Sequence, residues 1–450
     1  MPHWPKIITQ NLVLEESVVR TKALLDRLGN PEKRLPPAIH VVGTNGKGST
    51  IAFLKAMLEA GAMNSKVDHG SGKAPDANAS KALKVHVYTS PHIHQFNERI
   101  QIGGSPISDD ELFATLEECR EKLEGMEYSF FEATTAAAFL VFSRHPADYM
   151  LVEGGCGGRF DATNALQNIA ASVITSISAD HEGFLGKGLA RIGWHKAGIM
   201  RGCVPCISAD QMSEAMLALA AEATESKAMP FFYGYHWGIE KTHSGFTYLS
   251  ESGEINCPNP GLPGDHQLMN SGNAIAVIDS LCRQLNLVVD HQAMAHGLRN
   301  ASWPARLERV MYRKVAEILP KGAEVYMDAA HNVHAAEMIA RYISGLSPNG
   351  EKSQKYAVVG LTRGKDVRGF LQPILEVCEK VILMQVKGEP NAHTPQEIIA
   401  KFGDNPGFVI ADDTVDALCK INDMSTEEGT LRVFFCGSMY LARDLAHEMG

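Results

Sequence analysis

Five short apolar runs, at residues 38–42, 84–88, 149–152, 171–177 and 204–207, alternate with stretches of helical periodicity, and this rhythm constrains the fold more than any other feature. Runs dominated by apolar residues read as strands covered on both faces, which implies βαβ units around a mainly parallel sheet. A second series at 324–327, 356–359, 380–383, 407–410 and 432–435, again separated by helical stretches, predicts a smaller α/β unit. Between the two, residues 231–260 read as an antiparallel meander at the edge of the first unit, with Tyr233, Tyr235, Trp237, Phe246 and Tyr248 set among polar turns. Helical pattern returns over 265–282 and stops near 298–304, where Trp303-Pro304 bars a simple continuation. The expected domains are therefore 1–298 and 299–450, and 450 residues at 45% hydrophobic content suffice for two or three cores. No internal repeat or heptad array is evident.

The first strand runs into His40-Val-Val-Gly43-Thr-Asn-Gly46-Lys47-Gly48-Ser49-Thr50. A strand, a glycine-rich turn and a helix start make a phosphate cradle, in which backbone N–H groups and the positive helix end meet the anion and Lys47 adds a point charge. The pattern departs from the standard P-loop, because Val41 stands where the first glycine belongs and Gly48 separates Lys47 from Ser49 and Thr50. Ile51, Leu54, Met57 and Leu58 mark the buried face of the following helix, with Gly61 as its stop. Residues 63–82 then form a Lys/Asp/Gly/Ser/Ala-rich stretch without a usable period, which reads as a surface loop beside the cradle with a lid role left open.

A net charge of −10 disfavours non-specific binding to nucleic acid or acidic membranes, so an anionic ligand must be met locally. The opening Met1-Pro-His-Trp-Pro-Lys lacks a signal-peptide pattern, and the longest apolar run, near 136–142, is too short to span a bilayer, so a cytoplasmic protein is expected. Nine scattered cysteines do not form a secreted disulfide framework, and Cys203-Val-Pro-Cys206 reads as a buried structural pair before a redox or zinc site. Tyr149-Met-Leu-Val-Glu153 ends an apolar strand in a carboxylate and leads into Gly154-Gly-Cys-Gly-Gly158. Such a carboxylate can cap the next turn; beside a phosphate cradle, holding Mg²⁺ is the favoured role.

Gly-Thr-Asn-Gly-Lys-Gly-Ser at 43–49 resembles the variant loop of ATP-dependent ligases of the Mur superfamily, and among them the folylpolyglutamate synthase and dihydrofolate synthase branch. Matching motifs continue in order over roughly residues 24–442. The resemblance implies an α/β protein with an N-terminal P-loop ATPase-type domain built on a mainly parallel sheet and a smaller C-terminal Rossmann-like domain. It implies ATP contacts by Thr44, Asn45, Gly46, Lys47, Gly48 and Ser49, by Asn270 at the adenine edge, by Arg306 at the γ-phosphate and by Asp328 at the ribose, with His331 facing the reaction centre. Two Mg²⁺ ions are implied, held by Ser90, Glu153 and His181 and by Lys196 once CO₂ has converted it to a carbamate. Chemistry alone would read His181 as a loop histidine and Lys196 as a helix-face lysine. Carbamate formation requires a neutral amine, so a lowered pKa at Lys196 is part of the expectation. Arg159, Phe160, Asp161 and Ala162 match the segment that meets the pterin-bearing substrate. Phe130 and Phe131 match another substrate segment, where the rings either sandwich a flat heterocycle or form a core pair. The incoming glutamate is expected near Gly364-Lys-Asp366 and Ser438.

The implied reaction is ATP-dependent joining of L-glutamate to dihydropteroate, and to reduced folates, through an acyl phosphate. Closure of the two domains about the linker is expected to complete the site. Partners are thus small molecules, with no nucleic acid or membrane, and the chain is expected to be a monomer. Alternatives are folylpolyglutamate synthase activity alone, another Mur-type ligase acting on a cell-wall precursor, or a nucleotide-gated switch. A switch has no need of the Lys196 motif.

Overall fold

The computed structural model describes residues 13–64, 82–285, 287–346, 352–426 and 428–450. Among them the chain divides into two compact units, one of Met1–His92, Phe96–Gly261 and Gln267–Ser302, the other of Ile93–Gln95, Leu262–His266 and Trp303–Gly450. The main break thus falls between Ser302 and Trp303, and two short excursions that no sequence pattern marks join the second unit.

In the first unit the described residues form an eight-stranded sheet in the spatial order Ser105–Pro106, Ile100–Ile102, Val85–Tyr88, Tyr149–Glu153, Ala38–Val42, Ile169–Ile174, Pro205–Ser208 and Met229–Phe232. The six strands from Val85–Tyr88 onward are parallel to their neighbours, and only the first two are antiparallel. Parallel pairing demands crossovers, and the helices Lys47–Ala60, Phe130–Phe142, Leu189–Ala197 and Ser213–Ser226 provide apolar faces for them. The first strand in sequence therefore lies at the centre, between Tyr149–Glu153 and Ile169–Ile174, with Val41 opposite both Glu153 and Val173. Strand order reverses there, and the carboxyl ends of such strands open a crevice that suits ligands.

The meander is a separate antiparallel sheet of Trp237–Thr242, Gly245–Ser250 and Gly253–Pro258. It begins later than the sequence suggests. Phe231 and Phe232 belong to the last parallel strand of the main sheet, and a turn through Gly234, at φ 78°, carries Tyr233 and Tyr235. Aromatic alternation runs unbroken across that turn, so periodicity could not show the change of partner. Met63 and Asn64 pair with Leu287–Val289 as the short strand Ala62–Asn64, a correction to the unstructured reading of 63–82 at its start. From residue 65 to 81 that segment, and with it the lid reading, lies outside the described residues.

The second unit has a six-stranded sheet ordered Glu308–Val310, Glu324–Met327, Thr430–Cys436, Ser353–Val359, Lys380–Leu383 and Phe408–Ile410, of which only the first strand is antiparallel. Apolar clusters cover both of its faces, one including Val325, Val358 and Leu445 and the other Ile339, Phe370 and Phe434. Its middle strands end at Met327, Cys436 and Val359, so Asp328, Ser438 and the 360–366 loop leave from one edge. Among the described residues no helix is long and apolar enough to cross a membrane. The nine cysteines are free; Cys206 is buried while Cys203 is exposed at φ 58°, so the pair is not buried together as expected.

Burial in the central strand has a consequence for acid stability. His40 is fully buried, with Nε2 2.8 Å from Thr163 Oγ1, and burial, aided by Arg201, pushes its pKa down to about 3. The Thr163 hydroxyl donates to Asp161, so its oxygen accepts from Nε2–H and the ring is neutral in the fold. An unfolded chain takes up this proton below about pH 6.5, whereas the folded chain refuses it down to about pH 3. Stability therefore falls as pH drops through that window, by about 1.4 kcal/mol per pH unit from this group at full effect. Urea titrations at pH 7 and pH 5 should show the loss, and His40→Asn should have a visibly shallower pH dependence; equal slopes would refute the assignment.

Candidate active site

Four adjacent parallel strands end side by side at Tyr88, Glu153, Val42 and Ile174, which sends Ser90, the glycine loop, the phosphate loop and the 175–181 segment out from one edge. The phosphate loop is pressed against its neighbours. A Cβ at Gly43, at φ 151°, would lie 1.8 Å from Thr175 Oγ1, and one at Gly46, at φ 94°, would lie 2.2 Å from Asn270 Oδ1. Only glycine suits either place. The amides of Thr44 and Asn45 donate to Ser176 O, at 2.9 and 3.1 Å, and the Thr44 hydroxyl and Asn45 amide group bond to Ser178. These two residues brace the loop, leaving the first helical turn to face a phosphate. Its N-cap is Gly46, with no side-chain cap, so the amides of that turn keep their capacity for an anion. Asn270, whose Nδ2 donates to Gln267 Oε1 at 2.9 Å, stands directly over Gly46.

The Lys47 ammonium folds back over the loop, donating to Gly43 O and Thr44 O at 3.2 Å each, and lies 4.0 Å from Glu153 Oε1. Glu153, only 5% exposed, also accepts from the Ser90 amide, at 3.3 Å to Oε2. Lys47, Glu153 and Ser90 are thus brought together as expected. His181 follows the same edge at φ 53°, its ring 45% exposed and Nε2 3.9 Å from Asp180 Oδ2. Among the described residues no three His, Cys, Asp or Glu side chains are gathered as a ready metal cage. One buried carboxylate beside a serine and a phosphate cradle nevertheless fits Mg²⁺, which takes few protein ligands and completes its shell with phosphate oxygens and water.

Lys196, in the last turn of Leu189–Ala197, is 4% exposed. Burial first and the Lys47 charge second push its pKa down to about 7, against the opposing pull of Cys156, Asp180 and Asp161. A fair fraction of its amine is therefore neutral at physiological pH, as carbamate chemistry requires.

Several side chains assigned to substrate also make contacts within the protein. Arg159 pairs with Glu222 and lies over the Trp194 ring, 4.2 Å from its centre. Phe160 meets Trp194 and His195 edge-on at 6.0 and 5.7 Å. Asp161, held above the usual carboxylate range by burial, accepts from the amides of Cys156 and Thr163 at 2.7 and 2.9 Å, and Ala162 is buried. The motif spacing could not reveal this, because it fixes neighbours along the chain and not the direction of a side chain. Phe130 and Phe131 do not face each other: Phe131 packs on Tyr88 at 6.1 Å and Phe130 meets Phe96 at 6.1 Å, as neighbours about 100° apart on a helix must diverge. Phe131 is half-buried against the core and Phe130 is exposed, so the two rings do not form a core pair.

In the second unit, Arg306 sits between Ala305 and Leu307, both left-handed at φ 50° and 49°. Non-glycine residues rarely hold that conformation, and here Asp328 anchors it by accepting from Leu307 N and Ala330 N at 2.8 Å each. Both Asp328 oxygens retain further lone pairs. Among the described residues the buried Nε of Arg306 has no hydrogen-bond partner, a guanidinium donor suited to an anion. His331 Nδ1 donates to Ala329 O at 2.8 Å, which assigns Nε2 as the acceptor nitrogen of the neutral ring. Ser438 caps the last helix, accepting from Tyr440 N at 3.1 Å, and Asp366 caps another through Gly369 N, so both hold backbone as well as any ligand.

Residues that sequence reasoning missed are supports: Glu222 and Trp194 around Arg159, and Arg20, which forks onto Glu132 at 2.8 and 3.1 Å at the start of the Phe130 helix. Each pair is distant in sequence, so no local signal could have found it.

The chain is similar to several known proteins. Residues 310–448 match the family model described as dihydrofolate synthetase, C-terminal domain. The chain is 35% identical over 335 residues to the dihydrofolate synthase/folylpolyglutamate synthase of Bacillus subtilis, covering 71% of this chain and 70% of that one. It is 30% identical over 446 residues to the probable dihydrofolate synthetase of Schizosaccharomyces pombe, covering 95% and 96%. The solved bifunctional folylpolyglutamate synthase/dihydrofolate synthase of Yersinia pestis, complexed with AMPPNP and Mn ion, superposes with a TM-score of 0.81 at 25% identity, covering 98% of this chain and 95% of that one. With a relative 35% identical over 71% of this chain and another 30% identical over 95% of it, this chain belongs to the dihydrofolate synthase/folylpolyglutamate synthase family.

Proposed function

We propose that this chain is an ATP-dependent ligase that joins L-glutamate to dihydropteroate and extends reduced folates by further glutamates. The observation that carries it is the cradle itself, with Lys47 folded toward Glu153 beside the Ser90 amide. In the first step a carboxylate oxygen of the pteroate attacks the γ-phosphorus, the bond to the β–γ bridging oxygen breaks, and ADP leaves an acyl phosphate. In the second, the neutral amine of glutamate attacks the acyl carbon, inorganic phosphate departs with the bonding pair, and the amine releases a proton to solvent.

Two anions must approach, so the residues present have to oppose charge. The first-turn amides and Lys47 meet the phosphates, and a fixed cation there stabilises charge developing in the transition state. Glu153 and Ser90 would hold Mg²⁺, which supplies further neutralisation of the phosphate oxygens when bound. His181 is offered as joining Glu153 and Ser90 at that ion, and modified Lys196 as the holder of a second. Modification is the attack of the neutral Lys196 amine on the carbon of CO₂, with one C–O pair moving to oxygen and the nitrogen losing a proton, so that a cation becomes an anionic oxygen donor. Arg306, Asp328 and His331 are offered as the γ-phosphate, ribose and reaction-centre groups of the second unit. Ser438 and the 364–366 turn are offered for glutamate, and the chain is proposed to act as a monomer.

Relatives named for one activity and for both exist, so the test offers both acceptors. Incubation with ATP, magnesium and glutamate should give mass-identified products from dihydropteroate and from tetrahydrofolate. Product from one alone would restrict the assignment to that activity. ATP turnover indifferent to both acceptors and to glutamate would replace the ligase with a nucleotide-gated switch.

A further inference from the structure

Lys196 is presented by a short helix, and what fixes that helix is a set of contacts absent from every motif. On one side the glycine loop presses against it: Arg159 N donates to His195 O at 2.6 Å, and a Cβ at Gly158 would lie 2.9 Å from the carbonyl oxygens of both His195 and Lys196. On the other side the helix Ser213–Ser226 packs closely, since a Cβ at Gly193 would meet the Ala215 backbone at 3.3 Å. The Arg159 side chain bridges the two. Its guanidinium covers the Trp194 ring at 4.2 Å, Nη2 donates to Trp194 O at 3.4 Å, and the same nitrogen pairs with the Glu222 carboxylate. Arg191 lies 4.4 Å from the centre of the same ring, and Asn164 Nδ2 ties Arg159 O to Gly198 O at 2.9 and 3.1 Å.

The geometry points to Glu222 as a positioning residue for Lys196, acting through Arg159 and Trp194; this rests on the reading of Lys196 given above. The side chains of Glu222 and Arg159 are 11% and 24% exposed, so their pairing is not the solvent-screened kind that contributes little. Without Glu222, a half-buried guanidinium that shares the Trp194 ring with Arg191 keeps only the long bond to Trp194 O and the ring contact to hold its plane on the indole. The helix then gains freedom at the residue whose amine must meet CO₂ and, afterwards, a metal. Supports one shell removed from a ligand commonly change activity or metal affinity about 10–100-fold when lost.

The experiment uses the full chain and three variants: Glu222→Gln, Glu222→Asp and Arg283→Gln. The last breaks an ion pair with Asp279 elsewhere in the same unit and controls for general loss of stability. Samples equilibrated with ¹³C-bicarbonate are read by ¹³C NMR for a carbamate resonance that Lys196→Ala lacks, alongside steady-state kinetics. Glu222→Gln should lose most of the carbamate signal and about tenfold or more in kcat, with KM for ATP unchanged, Glu222→Asp should lie between, and Arg283→Gln should keep the signal. A Glu222→Gln protein with wild-type carbamate and kcat overturns the proposal. Absence of the resonance from the wild type overturns the Lys196 reading itself and this inference with it. Should Glu222→Gln fail to fold, Glu222→Asp carries the same comparison.

Discussion

Lys196→Ala is expected to lower turnover about a hundred- to a thousandfold, the loss typical of removing one preorganised charge partner from a transition state, while nucleotide still binds. The reason is particular to the site. The amine is buried, stands in the field of Lys47 and has its pKa pushed down to about 7, so a fair fraction of the unmodified side chain is neutral near pH 7. On the proposed carbamate reading its value lies in becoming an oxygen donor, and a short carboxylic acid such as acetate is expected to enter the space left by the alanine variant and replace that oxygen in part. Lys196→Arg should be no better than alanine, because a guanidinium stays charged and cannot form a carbamate. Steady-state rates with and without acetate, together with nucleotide binding by calorimetry, check this. A fully active alanine variant would remove the carbamate from the mechanism.

Lys47→Gln gives an effect of similar size by a different route. The ammonium is held over the loop by Gly43 O and Thr44 O and leans on Glu153, so its charge is already placed when nucleotide arrives. Glutamine keeps much of the length and loses the charge. We expect kcat to fall about a hundred- to a thousandfold and KM for ATP to rise, because the cation serves the phosphates in the ground state as well as in the transition state. Glu153 also loses the Lys47 ammonium that lies 4.0 Å from its Oε1. ADP release in single turnovers and steady-state kinetics test this, and a change below threefold in both constants would show that the cradle is not the phosphate site.

Much of the framework was legible from residues alone. The strand Ala38–Val42, the helix Lys47–Ala60 ending at Gly61 and the strands Glu324–Met327 and Lys380–Leu383 stand where apolar period and glycine placed them. The phosphate loop and Glu153 were legible for a related reason: a strand end fixes where its last side chain goes. Direction was what the motifs could not carry. Arg159 and Asp161 keep their sequence positions but turn to Glu222 and to backbone amides, and Phe130 and Phe131 diverge around their helix. Pairings such as Arg20 with Glu132 join residues more than a hundred positions apart, where local pattern is silent.

The sequence by itself determined which segments become strands and helices and which residue types stand at the ends of the strands, because apolar period, glycine and capping residues act within a few positions along the chain. Only the tertiary structure decided which of those ends are neighbours, that a lysine would be buried deeply enough to surrender its proton near neutral pH, and that a glutamate on another helix would hold the arginine beside it. Desolvation and long-range ion pairing depend on what surrounds a charge in space, and that is settled when the sheet assembles.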